Sequence, residues 1–148
     1  MIAVVGLRPP SPVVMLATLV LVTAVCGGAQ QEGAPGGSQL VVEMTDYKVT
    51  VNVPSVKAGS TKIGVRNLAS QVHSLEVIKT DLPHDKLPID GASAKAKEDG
   101  KVGGIETIAP GRSASVTLDL QPGKYVLICN VAGHYQLGMH ASFTVDAP

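Results

Sequence analysis

The sequence predicts an all-β fold, a two-sheet Greek-key β-sandwich of about eight strands, on three observations. Apolar and polar residues alternate through most of the chain after position 39, the period of a strand with one buried face. Turn formers recur at short intervals, most clearly at Pro110-Gly111 and Pro122-Gly123. The 148 residues include no Trp and one Phe, so the core must be built from Val, Leu and Ile, which favour strands. That length suits one compact domain, and eight short strands fit a sandwich.

The N-terminal segment stands apart from this domain. Arg8 is the single cation of Met1 to Pro12, and Val13 to Val25 (VVMLATLVLVTAV) are thirteen residues without a charge. This is a secretory h-region, shorter than the ~20 apolar residues a spanning helix needs. Residues 1–26 are therefore expected to be a signal peptide and the protein to be extracytoplasmic, in the periplasm or at the cell surface. Cys26, followed by Gly27 and Gly28, stands where a bacterial lipoprotein would be cut and acylated. Val25 occupies a place where that signal has Gly, Ala or Ser, so ordinary cleavage after Ala29 stays open beside a lipid tether on Cys26. Residues 27–38 (GGAQQEGAPGGS) are Gly-rich without apolar periodicity and read as a flexible linker, leaving residues 39–148 as the folded domain.

Within the domain, Leu40 to Met44 forms the first expected strand. In the second, Tyr47, Val49, Val51 and Val53 alternate with Lys48, Thr50 and Asn52, and in the third, Thr61, Ile63 and Val65 alternate with Lys62 and Arg66. Further strands are expected at His73 to Ile78, Ile105 to Ile108, Ala114 to Leu120, Tyr125 to Asn130 and His140 to Val145. The stretch from Asp81 to Gly104 reads as an irregular excursion, with a trace of helical period only at Ala92 to Glu98. Twelve cations balance twelve anions and no Lys or Arg run occurs, so no nucleic acid partner is expected.

Chemistry concentrates in Cys129-Asn-Val-Ala-Gly-His134-Tyr-Gln-Leu-Gly-Met139. A lone cysteine ending an apolar strand is commonly a small buried hydrophobe. Here His134 and Met139 follow it at intervals of five in a loop between two strands, so thiolate, imidazole and thioether can converge on one point. Soft sulfur with imidazole suits copper, and two histidines, one cysteine and a weak methionine make a blue-copper set. His73 supplies the second histidine, because it shares a strand face with Leu75 and Val77 and so points inward. A lone inward histidine would be read as a hydrogen-bonded core residue; beside this loop it becomes a ligand candidate. His84, in a turn-like segment, reads as a solvated surface residue, and His140, next to Met139 on a strand, should point away from the metal.

Tyr125 to Val145 (YVLICNVAGHYQLGMHASFTV), supported by Asn67 to Ile78 (NLASQVHSLEVI), resembles the cupredoxins, small exported type 1 blue-copper proteins, and within them the rusticyanin and sulfocyanin members with a C-x4-H-x4-M loop. The resemblance covers residues 39–148. It implies one type 1 copper ion held in plane by His73, Cys129 and His134 with Met139 axial, in a one-electron carrier that is not an enzyme. It also implies redox protein partners, of unidentified donor and acceptor, meeting a monomer. Many cupredoxins carry Asn directly after the first histidine to tie the ligand loops together; Ser74 is shorter, so a weaker or differently routed tie is expected.

Other functions fit less well. Copper oxidases and nitrite reductases need further ligands, usually in His-x-His pairs, which this chain lacks, and a binuclear centre needs two cysteines in the loop. Copper storage, delivery or resistance is the remaining alternative, although such proteins display Met and His clusters on exposed segments. Zinc would find the thioether a poor ligand, and an adhesion module would leave the ligand spacing unexplained. The apolar neighbours of His134 (Val131, Ala132, Tyr135 and Leu137) suggest that its ring edge reaches solvent through a small apolar patch.

Overall fold

The computed structural model describes residues 36–148; the expected signal peptide, Cys26 and all but the last three linker residues lie outside the described residues. The strands are β1 (Leu40–Thr45), β2 (Lys48–Val51), β3 (Ser55–Lys57), β4 (Gly59–Asn67), β5 (His73–Lys79), β6 (Ile89–Asp90), β7 (Lys95–Ala96), β8 (Lys101–Ile108), β9 (Ser113–Leu120), β10 (Gly123–Ile128) and β11 (His140–Asp146). They form an all-β sandwich of a four-stranded sheet, β2-β1-β4-β9, and a five-stranded sheet, β3-β11-β10-β5-β8, with β6 and β7 as a small separate hairpin. Both large sheets are mixed, because β1 pairs with β4 and β3 with β11 in parallel.

The eight expected strands are all present, and the described residues hold eleven. The three additional ones, β3, β6 and β7, are two or three residues long, too short to show alternation. The trace of helix at Ala92 to Glu98 is replaced by a turn and β7. Asp90 drives this: its Oδ1 accepts the Ala92 N–H at 3.1 Å and its Oδ2 the Ser93 hydroxyl at 2.9 Å, a side-chain turn that competes with helix. Ala94 then takes a left-handed φ of 55°, which ends any helical run.

The main core lies between the sheets, where the inward positions Leu40, Val42 and Met44 of β1 and Ile63 and Val65 of β4 meet Leu75, Val77, Tyr125, Leu127 and Phe143. Strand β5 is buried at every position but Lys79, which one-sided alternation does not explain. Its outer face is covered by the excursion: Leu87, Ile89 and Ala96 pack on Ile78, Val126, Ile128 and Tyr135 in a second cluster. A strand buried on both faces loses the alternating pattern.

One registration decides where the chemistry goes. Strand β10 runs antiparallel to β5 with Ile128 opposite Glu76, so Cys129, just past the end of β10, arrives beside the start of β5 and His73. Strand β11 pairs with the other side of β10, with His140 opposite Ile128, so the Cys129-to-Met139 loop joins neighbouring strand ends.

Candidate metal centre

The loop is shaped by its own backbone. Cys129 N–H donates to the Met139 carbonyl at 3.0 Å, closing the neck as β10 and β11 separate. Inside, Met139 N–H donates to the His134 carbonyl at 3.1 Å and His134 N–H to the Val131 carbonyl at 2.9 Å. Gly138 has φ 110°, a left-handed value that glycine takes without strain. These bonds turn Cys129, His134 and Met139 into one buried cluster whose side chains are all removed from water.

His73 joins them from β5. Its Nδ1 lies 3.2 Å from His134 Nδ1 and 3.6 Å from Cys129 Sγ, and His134 Nδ1 lies 3.5 Å from the same sulfur. The three atoms form a nearly equilateral triangle. A point equidistant from all three lies about 2.0 Å from each, close to the ~2.0–2.3 Å at which imidazole nitrogen and thiolate sulfur bind a first-row divalent ion. Burial, and next the charge of His134, hold the His73 imidazole below its ordinary pKa, with Asp46 opposing. A neutral ring keeps a lone pair for a metal. Donor set and geometry therefore fit copper, and a cation among these three nitrogen and sulfur lone pairs offsets their mutual repulsion. Met139 is fully buried in the same core cluster as Cys129.

The surroundings fix these donors. Ser74 N–H donates to Cys129 Sγ at 3.4 Å, and Ser74 Oγ accepts the Asn130 N–H at 3.0 Å, across 56 residues of chain. Serine thus makes a tie between the two ligand segments, routed through the backbone of the residue after the cysteine. The Asn130 side chain extends it, accepting from Ala96 N–H at 2.9 Å and donating to Ala96 carbonyl at 3.0 Å and Glu98 Oε1 at 2.7 Å. Lys101 pairs with both Glu98, at 2.8 Å, and buried Glu76, at 2.7 Å. Burial pushes the Glu76 carboxyl up while Lys101 opposes the shift. Burial would lower Lys101, but its bonds to Glu76 and Glu98 prevail and hold it above the ordinary lysine range.

Three of the four sequence-derived candidates, His73, Cys129 and His134, thus bring their donor atoms together, with Met139 buried in the core beside Cys129, and one other histidine reading changes. His84 is half-buried rather than solvated, with its Nδ1 2.7 Å from His140 Nδ1. Tyr135 explains why: its hydroxyl donates to the His84 carbonyl at 2.8 Å and accepts the Leu87 N–H at 2.8 Å, clasping the excursion to the loop. His140 packs on Tyr135 with ring centroids 5.1 Å apart. His134 keeps 7% exposure. Sequence reasoning missed Tyr47, whose ring stands edge-on to His134 at 5.6 Å, because alternation with Val49 placed it inside a strand. It also missed Glu76, Lys101 and Asn130, which no local spacing connects.

Residues 38–146 match the profile of copper binding proteins of the plastocyanin/azurin family. No curated protein matches the chain by sequence. Among solved structures, the fold is similar to reduced auracyanin from the photosynthetic bacterium Roseiflexus castenholzii, at 21% identity and a TM-score of 0.51, over 74% of this chain and 99% of that one. It is similar to auracyanin A, a blue copper protein from Chloroflexus aurantiacus, at 18% identity and a TM-score of 0.50, over 72% and 98%. Rusticyanin from Thiobacillus ferrooxidans matches at 16% identity and a TM-score of 0.52, over 72% and 75%. At these identities the likeness is one of fold.

Proposed function

Because the chain belongs to the plastocyanin/azurin family of copper-binding proteins, the cupredoxins, we propose that it is an exported blue copper protein carrying single electrons between redox partners. The observation that carries this reading is the buried triangle of His73 Nδ1, His134 Nδ1 and Cys129 Sγ, with sides of 3.2, 3.5 and 3.6 Å. His73, His134 and Cys129 would hold the copper ion, and Met139 would add a weak thioether donor. Bound copper supplies the one-electron couple between its cuprous and cupric states.

What the protein contributes is rigidity. Copper(I) favours soft, low-coordinate surroundings and copper(II) favours tetragonal nitrogen and oxygen, so a site fixed between the two rearranges little on electron transfer. The Cys129-to-Met139 neck, the Ser74 tie and the Tyr135 clasp supply that fixity. Burial of His73, Cys129 and Met139 disfavours the storage or delivery reading, because handing over an ion requires exposed donors. The uncharged segment Val13 to Val25 supports export of the domain, residues 39–148, behind a Gly-rich linker, with Cys26 as the point of any lipid tether.

An electron carrier should cycle between oxidation states while keeping its metal. Voltammetry of the copper-loaded protein with a competing copper chelator should give a reversible one-electron wave and no metal loss over many cycles. Transfer of copper to the chelator on the first reduction would contradict the carrier reading and favour delivery.

A further inference from the structure

The chain has four histidines, and the two that the metal centre leaves over meet each other. His84 Nδ1 lies 2.7 Å from His140 Nδ1, with ring centroids 4.7 Å apart and planes inclined by 38°. Both rings are half-buried, and 56 positions of chain separate them. His140 stands next to Met139 in sequence but belongs to other surroundings. Met139 lies in the core between the sheets, whereas His140 packs on Tyr135, a member of the outer cluster.

Both imidazoles are held in place from behind. The Pro83 carbonyl accepts the Lys86 N–H at 2.9 Å, closing a turn whose two central residues are His84 and Asp85. Tyr135 braces the pair, its hydroxyl donating to the His84 carbonyl at 2.8 Å and its ring centroid lying 5.1 Å from that of His140. Asp85, whose carboxyl is held below its ordinary pKa first by its bond to Lys86 and also by His84, adds negative charge beside His84. On the face that His140 shares with Ser142 and Thr144, a cavity of about 300 Å³ opens beside His84 and leaves room for water.

Two ring nitrogens this close require a proton or a cation between them, since facing lone pairs repel. An ion bound by both at ~2.0 Å would subtend an angle of about 85° between them. Two tetrahedral ligands with the same bonds stand about 3.3 Å apart, so the observed spacing suits neighbouring positions of a tetragonal ion instead, the geometry of copper(II) or nickel(II) among nitrogen and oxygen donors.

We propose that His84 and His140 form a second metal site, separate from the first, that takes a tetragonal divalent ion such as copper(II) or nickel(II) and completes its coordination with water. The site does not depend on the carrier reading. With no thiolate among its donors, copper(II) held there adds little colour and gives the paramagnetic spectrum of a tetragonal centre.

The test titrates copper(II) into the untagged full chain and records electron paramagnetic resonance, beside His84→Gln and His140→Gln, with circular dichroism to check that each variant keeps the fold. The parent should take up two equivalents, the second giving a tetragonal signal split by two imidazole nitrogens. Each variant should take up one equivalent and lack that signal, while the visible spectrum of the first equivalent stays parental. Nickel(II) added to the one-copper protein should bind the parent and neither variant. A parent that saturates at one equivalent would overturn the proposal and leave the 2.7 Å contact as an N–H···N hydrogen bond. A second equivalent that survives both substitutions would overturn it as well, by placing the ion elsewhere. A first equivalent without colour would instead overturn the carrier reading, and loss of the second equivalent in His84→Gln would still support this site.

Discussion

Met139 separates its two roles cleanly at the scale of a single residue. Its carbonyl accepts the Cys129 N–H and closes the loop, a contact that any side chain leaves intact, while its sulfur is the proposed axial donor. Met139→Leu conserves volume in a fully buried position and should cost less than about 1.5 kcal/mol of stability. The variant should keep copper and colour while its reduction potential rises, because losing a donor disfavours copper(II) more than copper(I). Voltammetry checks this, and an unchanged potential would place Met139 outside the site. At this scale the sequence was highly legible. Cys129, His134 and Met139 announce themselves by even spacing in one loop, and His73 by sharing a face with Leu75 and Val77. Tyr47 was not legible, because its place depends on a turn conformation that its residue type argues against.

Among the elements, the segment between β5 and β8 does most that alternation could not foresee. Leu87, Ile89 and Ala96 cover outward-facing Ile78, Val126 and Ile128, and its far end carries Glu98 to Asn130 and to Lys101 at the start of β8. The unbroken apolar run Tyr125 to Ile128 was a sign of a strand covered on both faces, but nothing in the covering segment says which sheet it covers. Lys101→Met should leave the Glu76 and Glu98 carboxylates uncompensated. Because the Lys101 side chain keeps 30% exposure, the expected cost is about 2–4 kcal/mol near neutral pH, somewhat below that of a fully buried pair. The sign of the pH dependence follows from Glu76. Burial raises its pKa and Lys101 opposes that shift, so removing Lys101 raises the pKa further. The stability lost is then largest where the free carboxyl ionises and shrinks as pH falls and Glu76 is protonated in both states. Urea unfolding at about pH 7 and about pH 4 should show the larger deficit at neutral pH; equal deficits would mean that Lys101 acts only through packing.

For the whole molecule, the sandwich brings His73 and Cys129, 56 positions apart, to one end of adjacent strands, and a single register does it. The alternating β1, β4 and β9 wall made the fold class readable, since each strand turns its apolar side to the same core. Two- and three-residue strands were not readable, because they exist only through the partners they pair with.

On the proposed function, His73, Cys129 and His134 bind copper through the thiolate. Titrating copper(II) into the purified protein and recording its visible absorption tests this most directly. The absorption should saturate at one equivalent with an intense blue or green colour, and no such colour should develop in Cys129→Ser. A colourless copper complex, or full colour in Cys129→Ser, would contradict it.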